Sequence, residues 1–328
     1  MDRIDLSIGS GGKSMHEFIA GVVLRHLGNA RLDGLGDAAL LDLPRHAAFT
    51  TDSFVVKPLF FPGGDIGTLC VAGTVNDLVV SGARPLFLSL GLILEEGLPM
   101  ADLERILASM RRTADAAGVT VVTGDTKVVR KGEADGIYVN TAGIGEAVGR
   151  PETPRPGDIL IVTGSPGDHG VAIMVARREF EFEGDVRSDC AALTRLLPLW
   201  ESGDVRWMRD ITRGGLATVA CEMASQAGCT AVLREADVPF SPPVRGVAEI
   251  LGIEPLYLPS EGKALIVAPS ASAGRVLEFL RTKAACPDAA AIGTVETRDR
   301  EVDAILRTQS GGHRILEPLT GELLPRIC

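Results

Sequence analysis

Five aspartates in this chain share a local pattern that suits phosphate chemistry. Each ends an apolar run or lies between small residues: Asp37, Asp52, Asp77, Asp125 and Asp210. Ligands gather at strand ends in α/β folds, and carboxylates gathered there repel one another unless a cation neutralises them. Magnesium suits such a place, because it takes oxygen ligands and leaves room for phosphate oxygens and water. A single aspartate of this kind is more typical of a turn or a helix cap, so the prediction of a metal–phosphate site depends on the recurrence.

Three further side chains are candidates for proton transfer. Lys127 follows Asp125 by two residues, which places both on one face if they share a strand. His169 lies in a Gly-Asp-His-Gly segment and Glu261 in a Ser-Glu-Gly-Lys segment. All three types suit an acid or a base. Taken singly, a solvated lysine, a helix-start histidine and a turn glutamate are the more ordinary roles.

The segment from Gly9 to Ser14 is rich in glycine and contains Lys13. It lacks the spacing and the preceding strand of a phosphate-binding P-loop. Two interpretations remain open at this point. The segment is either a basic lid that folds over phosphates, with Lys13 as the contact, or a disordered N-terminus.

The last residue, Cys328, is the cysteine with the best access to other molecules. The six cysteines form no CxxC pair, which disfavours a zinc or thioredoxin-type site. A terminal tail of eight residues spans at most about 26–29 Å, whereas a compact chain of this length has a radius of about 20 Å. The tail is therefore long enough to carry its thiol into an internal site.

Composition narrows the function classes. The chain has 328 residues, 45% of them hydrophobic, and a net charge of −10. An acidic protein of this kind is not expected to bind nucleic acid in general, because that task needs a basic face. No apolar run is long enough for a membrane span, and the N-terminus shows no secretory signal, so we expect a cytoplasmic protein without a membrane partner.

Alternating strand and helix signals predict an α/β architecture in two parts. Apolar residues at helical spacing predict an amphipathic helix over 100–117, closed by Gly118. A strand hairpin is predicted over 256–268. Three prolines within 151–156 mark the best linker. We therefore expect an N-terminal domain over 1–155, a C-terminal domain over 156–318 and a mobile tail over 319–328.

Several segments together resemble the HypE family of hydrogenase maturation factors. That family belongs to an ATP-dependent superfamily with aminoimidazole ribonucleotide synthetase, selenophosphate synthetase and thiamine-phosphate kinase. The acidic motifs are shared by the superfamily, whereas the PGG, EEGLPM and PRIC segments are more specific to HypE. The segments are GSGGKSMHEFI (9–19), TTDSFVVKPLFFPGGDIGTL (50–69), VNDLVVSGARP (75–85), LILEEGLPM (92–100), VVTGDTKVV (121–129), GDHG (167–170), RDITRGGL (209–216), SEGK (260–263) and PRIC (325–328).

The resemblance implies a PurM-like fold of two α/β domains with ATP and Mg²⁺ as cofactors. The N-terminal domain is β-rich and pairs with a second copy in a homodimer, and the C-terminal tail is flexible. Carried over motif by motif, the resemblance implies nucleotide contacts at Lys13, Thr51, Asn76, Asp77, Gly124 and Asp125, and metal–phosphate contacts at Asp37, Asp52, Asp77, Asp125 and Asp210.

The resemblance also implies a reaction on the chain's own end. A HypF-type carbamoyltransferase places a carbamoyl group on the Cys328 sulfur. ATP then drives dehydration of that S-carboxamide to an S-thiocyanate, which a HypC–HypD-type complex accepts as cyanide for the iron of [NiFe]-hydrogenase. Cys328, Lys127, Glu261 and His169 are the implied catalytic group, with the general base left open among the last three.

Two other functions remain to be separated from this one. A small-molecule kinase of the thiamine-phosphate kinase type would share the aspartates and have no use for the terminal Cys328. A non-enzymatic carrier would receive and pass on a group at the thiol, with structural aspartates. A selenophosphate synthetase would want a cysteine or selenocysteine within residues 9–14, and there is none.

Overall fold

The computed structural model describes residues 3–9, 12–32, 35, 38–177, 184–298, 301–321 and 327–328. The predicted amphipathic helix is confirmed over Met100–Ala117, and Gly118 ends it in the left-handed conformation, with a φ of 69°. The helices of the N-terminal half are α1 (Leu6–Gly9), α2 (Gly12–Phe18), α3 (Leu24–Leu27), α4 (Ile66–Val80) and α5 (Met100–Ala117), and a π-helical turn over Ile19–Val23 precedes α3.

A four-stranded sheet forms the other layer of this half. Its strand order is β1-β6-β4-β5, so β1 and β5 are its two edges. One face packs against α4 and α5, while the other leaves Phe49 71% and Ile93 41% exposed. The strands of this half, including a two-stranded hairpin of β2 and β3, are β1 (Ala47–Phe54), β2 (Phe60–Phe61), β3 (Gly64–Asp65), β4 (Ala83–Glu95), β5 (Thr120–Val129) and β6 (Ile137–Ala147).

The C-terminal half is a second sheet with helices against it. Its strand order is β13-β12-β9-β11-β7-β10-β8, and among these described strands β9 and β12 pair in parallel while the other neighbours are antiparallel. Its helices are α6 (Asp168–Ala176), α7 (Leu197–Glu201), α8 (Gly215–Ala227), α9 (Pro242–Leu251) and α10 (Ser270–Thr282). Its strands are β7 (Ile159–Val162), β8 (Trp207–Asp210), β9 (Cys229–Arg234), β10 (Ala264–Ala268), β11 (Ala290–Thr297), β12 (Ala304–Arg307) and β13 (His313–Leu316).

One predicted element is wrong. The strand hairpin expected over 256–268 is instead a 3-10 turn over Pro255–Tyr257, an irregular segment, and the single strand β10. The reason is local, because Pro259 cannot donate a hydrogen bond to a neighbouring strand. The irregular segment is the one that carries Glu261.

The buried helix α4 joins the two halves. It is apolar on nearly every side, which is typical of a helix covered all round. Its Val79 carbonyl accepts a hydrogen bond from the Trp200 indole at 2.8 Å. The Asn76 amide accepts from the Leu193 N–H at 2.8 Å and donates to the carbonyls of Ala191 and Glu261. These bonds hold side chains from both halves in a fixed relation.

The end of the chain is docked against the interior. Residues 322–326 of the predicted tail lie outside the described residues, and Ile327 is only 4% exposed within the main hydrophobic core. In the part of the chain that the structure describes, no helix is both long and apolar enough to cross a membrane.

Candidate active site

A cavity of about 190 Å³ lies between the two halves of the molecule. Four of its residues are acidic, and the C-terminal cysteine is part of its wall. It is lined by Thr51, Asp52, Gly73, Asp77, Arg209, Asp210, Thr212, Arg213, Glu261 and Cys328. We call this cavity the acidic pocket.

The N-terminal half contributes the first wall of the acidic pocket through β1 and α4. Asp52 lies on β1, and its backbone carbonyl accepts a hydrogen bond from the Asn140 amide of β6 at 2.9 Å. Asp77 lies on α4 and accepts a hydrogen bond from the Thr50 hydroxyl at 2.8 Å. Gly73 lies between them, and a Cβ there would meet the Phe54 ring at 2.8 Å. A glycine at this point therefore lets α4 approach β1 closely enough for the two aspartates to share one cavity.

The second wall is the end of β8 and the turn that follows. Asp210 is the last residue of β8 and is 9% exposed. Gly214 and Gly215 then turn the chain into α8 with φ values of 80° and 63°, which favour glycine. At Gly215 a Cβ would meet the Leu256 carbonyl oxygen at 2.4 Å. The tight turn leaves the cation of Arg213 at the rim of the acidic pocket.

The third wall is the irregular segment before β10. Glu261 is 3% exposed, and its N–H donates to the Asp189 carboxylate at 3.0 Å. Gly262 follows, where a Cβ would be 1.9 Å from the Asp189 carbonyl oxygen, so no larger residue fits. The Glu261 Oε1 atom is buried and has no hydrogen-bond partner. A carboxylate oxygen buried in this way is available to a substrate in the acidic pocket.

Burial and mutual repulsion make these carboxyl groups basic. Burial, followed by the charge of Asp77, raises the pKa of Asp210 to about 7. Burial also raises the pKa of Glu261 well above its ordinary value, with Asp210 and Asp189 adding to the effect. The pKa values of Asp52 and Asp77 are raised too, in both cases mainly by burial. A cluster of this kind favours the binding of a cation or of a proton donor.

Cys328 lies in the same pocket with its thiol protonated. Burial raises the pKa of the thiol to about 12, and the charge of Glu261 contributes next. The residue before it is fixed as well, because the His169 Nε2 atom lies 2.8 Å from the Ile327 carbonyl oxygen. The structure therefore agrees with the sequence prediction that the tail is long enough to carry its thiol into an internal site.

Asp125 and Lys127 lie elsewhere in this chain. They form an ion pair at 3.0 Å on the edge strand β5, with side chains 69% and 64% exposed. This pair confirms that the two share one face of a strand. Asp52 is three strands away across the sheet, through Thr141 and Leu90 to Gly124. Three spacings amount to about 14 Å, too far for Asp52 and Asp125 of one chain to hold one ion.

A second cavity of about 400 Å³ borders β5. Its walls are mainly apolar, with polar groups from His16, Arg31 and the β5 segment. Residues Thr123–Thr126, which include Gly124 and Asp125, form one side. Leu27, Leu90 and Val121 are among the residues that form the remainder. An apolar cavity with a few polar groups at its margin is the usual form of a small-molecule site.

The four remaining predicted site residues lie in four different places. Lys13 lies on α2, exposed and 3.6 Å from Glu17, so the segment after Gly11 is helical rather than a loop. Asn76 uses its whole amide in the backbone contacts between the halves. Thr51 lines the acidic pocket. Asp37 lies outside the described residues.

The described residues of the acidic pocket do not by themselves form a complete metal-binding site. Among the described residues there is no group of three or more His, Cys, Asp or Glu side chains placed to hold a metal ion. Mg²⁺ seldom needs one, because it usually takes one or two carboxylates and completes its shell with phosphate oxygens and water. The raised pKa values of Asp52, Asp77 and Asp210 show carboxyl groups that a divalent cation would stabilise as anions.

Sequence reasoning gave no role to two groups at this site. Arg213 is the cation whose charge lowers the pKa values of Cys328 and Glu261. The sequence signal for Arg213 is its place directly before the Gly214-Gly215 pair that opens α8. Ser188, the partner of His169, comes from an irregular segment and gave no signal at all.

Two family models match the chain, and together they define its class. Residues 35–147 match the N-terminal domain of AIR synthase related protein, and residues 155–305 match the C-terminal domain. The fold is that of solved thiamine monophosphate kinase from Aquifex aeolicus, at a TM-score of 0.60 and 20% identity over 76% of this chain and 85% of that one. The class is therefore the two-domain fold that AIR synthase related proteins share.

Within that class the chain belongs to the HypE family. It is 45% identical to carbamoyl dehydratase HypE of Rhodobacter capsulatus over 100% of this chain and 98% of the relative. It is 43% identical to carbamoyl dehydratase HypE of Escherichia coli, with 100% of each chain covered.

Two solved structures extend the comparison. A crystal structure of hydrogenase maturation protein HypE in complex with ATP matches at a TM-score of 0.94 and 46% identity, over 98% of this chain and 99% of that one. A HypE–HypF complex matches at 0.78 and 40% identity, over 92% of this chain and 99% of that one.

Proposed function

We propose that this protein uses ATP to dehydrate an S-carboxamide on its own Cys328 to an S-thiocyanate. The observation that supports the proposal most directly is the position of the terminal thiol. Cys328 lines a pocket whose other polar residues are three aspartates, one glutamate, two arginines and two threonines. A tail that carries no reactant has no physical reason to end among buried carboxyl groups, because burial with them costs free energy.

The reaction needs a better leaving group and a base. The carboxamide oxygen departs only after it accepts the γ-phosphoryl of ATP, and it then leaves as phosphate. The nitrogen gives up its two protons as the C≡N bond forms, so the products are thiocyanate, ADP and phosphate. Glu261 suits the base, since burial raises its pKa and its Oε1 atom has no partner. Arg213 at the rim suits the developing phosphate charge.

The raised pKa of Cys328 indicates that carbamoyl transfer and dehydration take place at different positions of the tail. A docked thiol with a pKa of about 12 is almost entirely protonated near pH 7, and the protonated form is a poor nucleophile. Transfer of the carbamoyl group therefore takes place with the tail outside the acidic pocket. Once the sulfur carries the neutral carboxamide, it no longer has a proton to lose, and docking brings the amide to Glu261.

Mg²⁺ is part of the proposal. Asp52, Asp77 and Asp210 would hold it, and it would supply charge neutralisation for the transferring phosphoryl group. Their raised pKa values are consistent with that task, because a cation removes the repulsion that makes these groups basic.

ATP binding and dimerisation belong together in the proposal. Asp125 and Lys127 are too far from the acidic pocket of their own chain, yet β1 and β5 are the two free edges of the first sheet. If β1 pairs with β5 of a second copy, Asp125 and Lys127 of that copy come within one strand spacing of the β1 edge, about 4.8 Å. The 400 Å³ cavity beside β5 would then receive the nucleoside, and Lys127 would reach the phosphates or the amide.

The open face of the first sheet supports this dimer. Phe49 and Ile93 are 71% and 41% exposed there, and edge strands of eight and ten residues invite pairing. A HypF-type carbamoyltransferase is the proposed donor, and a HypC–HypD-type complex is the proposed acceptor of cyanide. The cytoplasm is the proposed compartment, because a reduced thiol is needed.

Single-turnover ATP hydrolysis tests the proposal. We expect one ADP per carbamoylated protein and almost none from the uncarbamoylated protein or from Cys328→Ser. Equal ADP formation by Cys328→Ser and the wild type, each with a small-molecule phosphoryl acceptor, would instead favour a kinase of the same fold. Thermal shifts with ATP and Mg²⁺ should appear in every sample, and their absence would favour a non-enzymatic carrier.

A further inference from the structure

His169 is a buried titratable group that the proposed chemistry leaves without a task. It is fully buried, in the first turn of α6. Its two ring nitrogens face the end of the chain and an irregular segment, with Nε2 2.8 Å from the Ile327 carbonyl oxygen and Nδ1 2.8 Å from the Ser188 hydroxyl. The ring is therefore hydrogen-bonded to the backbone carbonyl that directly precedes Cys328.

The partners fix which nitrogen carries the proton. A carbonyl oxygen only accepts hydrogen bonds, so Nε2 must donate to Ile327. Burial lowers the pKa of His169 and keeps the ring neutral, so Nδ1 is an acceptor and Ser188 donates its hydroxyl proton to it. The Ser188 oxygen in turn accepts the Cys190 N–H at 3.0 Å. Every group in this chain of hydrogen bonds has its partner.

The PGG segment holds this chain of bonds in place. The Pro62 carbonyl accepts the Ser188 N–H at 2.8 Å. A Cβ on Gly63, whose φ is 92°, would lie 2.6 Å from the Ser188 carbonyl oxygen. The Phe61 ring meets the His169 ring edge to face, with 5.3 Å between centroids. The PGG segment, which is more specific to HypE than the acidic motifs are, thus fixes the positions of Ser188 and His169.

The hydrogen bond to the Ile327 carbonyl restricts the position of the Cys328 thiol, because a rigid peptide group joins the two residues. The Ile327 carbonyl belongs to the planar peptide group that joins Ile327 to Cys328. Once the group is fixed, only the φ and χ1 rotations of Cys328 place its sulfur. The apolar Ile327 side chain, which is 4% exposed, anchors the same residue in the core.

We propose that His169 is a positioning residue, held by Ser188 in the Nε2–H tautomer, that grips the Ile327 carbonyl and so sets the register in which the C-terminal thiol enters the acidic pocket. The proposal rests on the proposed function only in making this thiol the reactant. Ser188 and the Pro62-Gly63 turn act through His169 and contact no reacting atom.

Alkylation of Cys328 tests the grip without ATP or a carbamoyl donor. The readout is the rate at which iodoacetamide modifies the C-terminal peptide at pH 8, measured by mass spectrometry. His169→Phe keeps an aromatic ring against Phe61 and loses the donor, so we expect about a tenfold faster rate, the size of one buried hydrogen bond. His169→Gln keeps an N–H near the Nε2 position and should restore the rate to within about twofold of the wild type.

Ser188→Ala is the second variant, and Ser272→Ala is its matched control. Ser272 is also buried, and its hydroxyl donates to the Asp204 carbonyl at 2.7 Å, away from the tail. We expect faster alkylation in Ser188→Ala only. An unchanged rate in a folded His169→Phe, or equal rates in the two serine variants, would overturn the proposal. Because no nucleotide is present, these results stand apart from any failure of the dehydration assay.

Discussion

The acidic pocket and the β5 edge contain aspartates with the same sequence signature in opposite environments. Asp210 and Glu261 are buried, with raised pKa values. Asp125 is two-thirds exposed and already neutralised by Lys127. The first region is formed by residues of one chain, and its buried carboxyl groups favour the binding of a cation. The second is relaxed and open at a sheet edge, where a second copy can reach it. In the proposed dimer, the two regions would belong to one site, although they lie apart in the single chain.

The largest expected effect lies in the buried region. Glu261→Gln should lower the dehydration rate by about 10²–10⁴-fold, the usual contribution of a general base. Its melting temperature should not fall, because burial already disfavours the charged form of Glu261 in the fold and glutamine is neutral. The rate is measured as ADP release from the carbamoylated protein, with Glu278→Gln, at an exposed position of α10, as the control. A Glu261→Gln enzyme with the wild-type rate would leave the pocket without its base.

The register of the tail should matter almost as much. A glycine inserted between Ile327 and Cys328 displaces the thiol by up to about 3.8 Å, and misplacement of this order costs about 10²-fold or more in rate. The matched control is a glycine inserted directly after Gly321, outside the docked residues. Equal dehydration rates in the two insertions would mean that the grip at Ile327 does not position the sulfur.

Mixed dimers sharpen the comparison between the two regions. Asp52→Asn and Asp125→Asn should each lose nearly all activity. If Asp125 serves the pocket of the second copy, a heterodimer of the two variants contains one intact site. Random mixing in equal amounts should then restore about a quarter of the wild-type activity. The measurement is ADP release after mixing and reassembly. No recovery, in dimers verified by differential tagging, would place Asp52 and Asp125 in a single chain's site.

The last expected effect is on stability and not on rate. The pKa of Asp210 is about 7 in the folded protein and near 3.8 when unfolded. The folded state therefore binds a proton more tightly, and Asp210 destabilises the ligand-free fold at pH values above both. Asp210→Asn should raise the free energy of unfolding at pH 8 by up to about 4 kcal/mol. This gain should shrink as the pH falls from 7 and vanish below 3.8. Urea titrations at several pH values measure it, and a variant less stable than the wild type at pH 8 would contradict the assignment.

The elements of the first half were predictable because their signals are local. The helix over 100–117 buries Leu103, Ile106, Leu107 and Met110, the face that its periodicity indicated. The irregular segment at Glu261 was not predictable from local signals. Its shape depends on the close approach of Gly262 to Asp189, which is distant in sequence.

The site was predictable by residue type and not by arrangement. The pattern around Asp52, Asp77 and Asp210 marked three groups that do share a pocket. It could not reveal that Asp125 lies three strands from Asp52, because strand order is a property of the whole sheet. The contact between His169 and Ile327 joins residues 158 positions apart, a distance at which no local periodicity carries information.

The mass of the C-terminal peptide tests the central claim most directly. Protein carbamoylated on Cys328 is incubated with ATP and Mg²⁺ and then digested. We predict that the peptide loses the mass of one water, with ADP formed in equal amount. A peptide that keeps its carbamoyl mass while ATP is consumed would contradict the account.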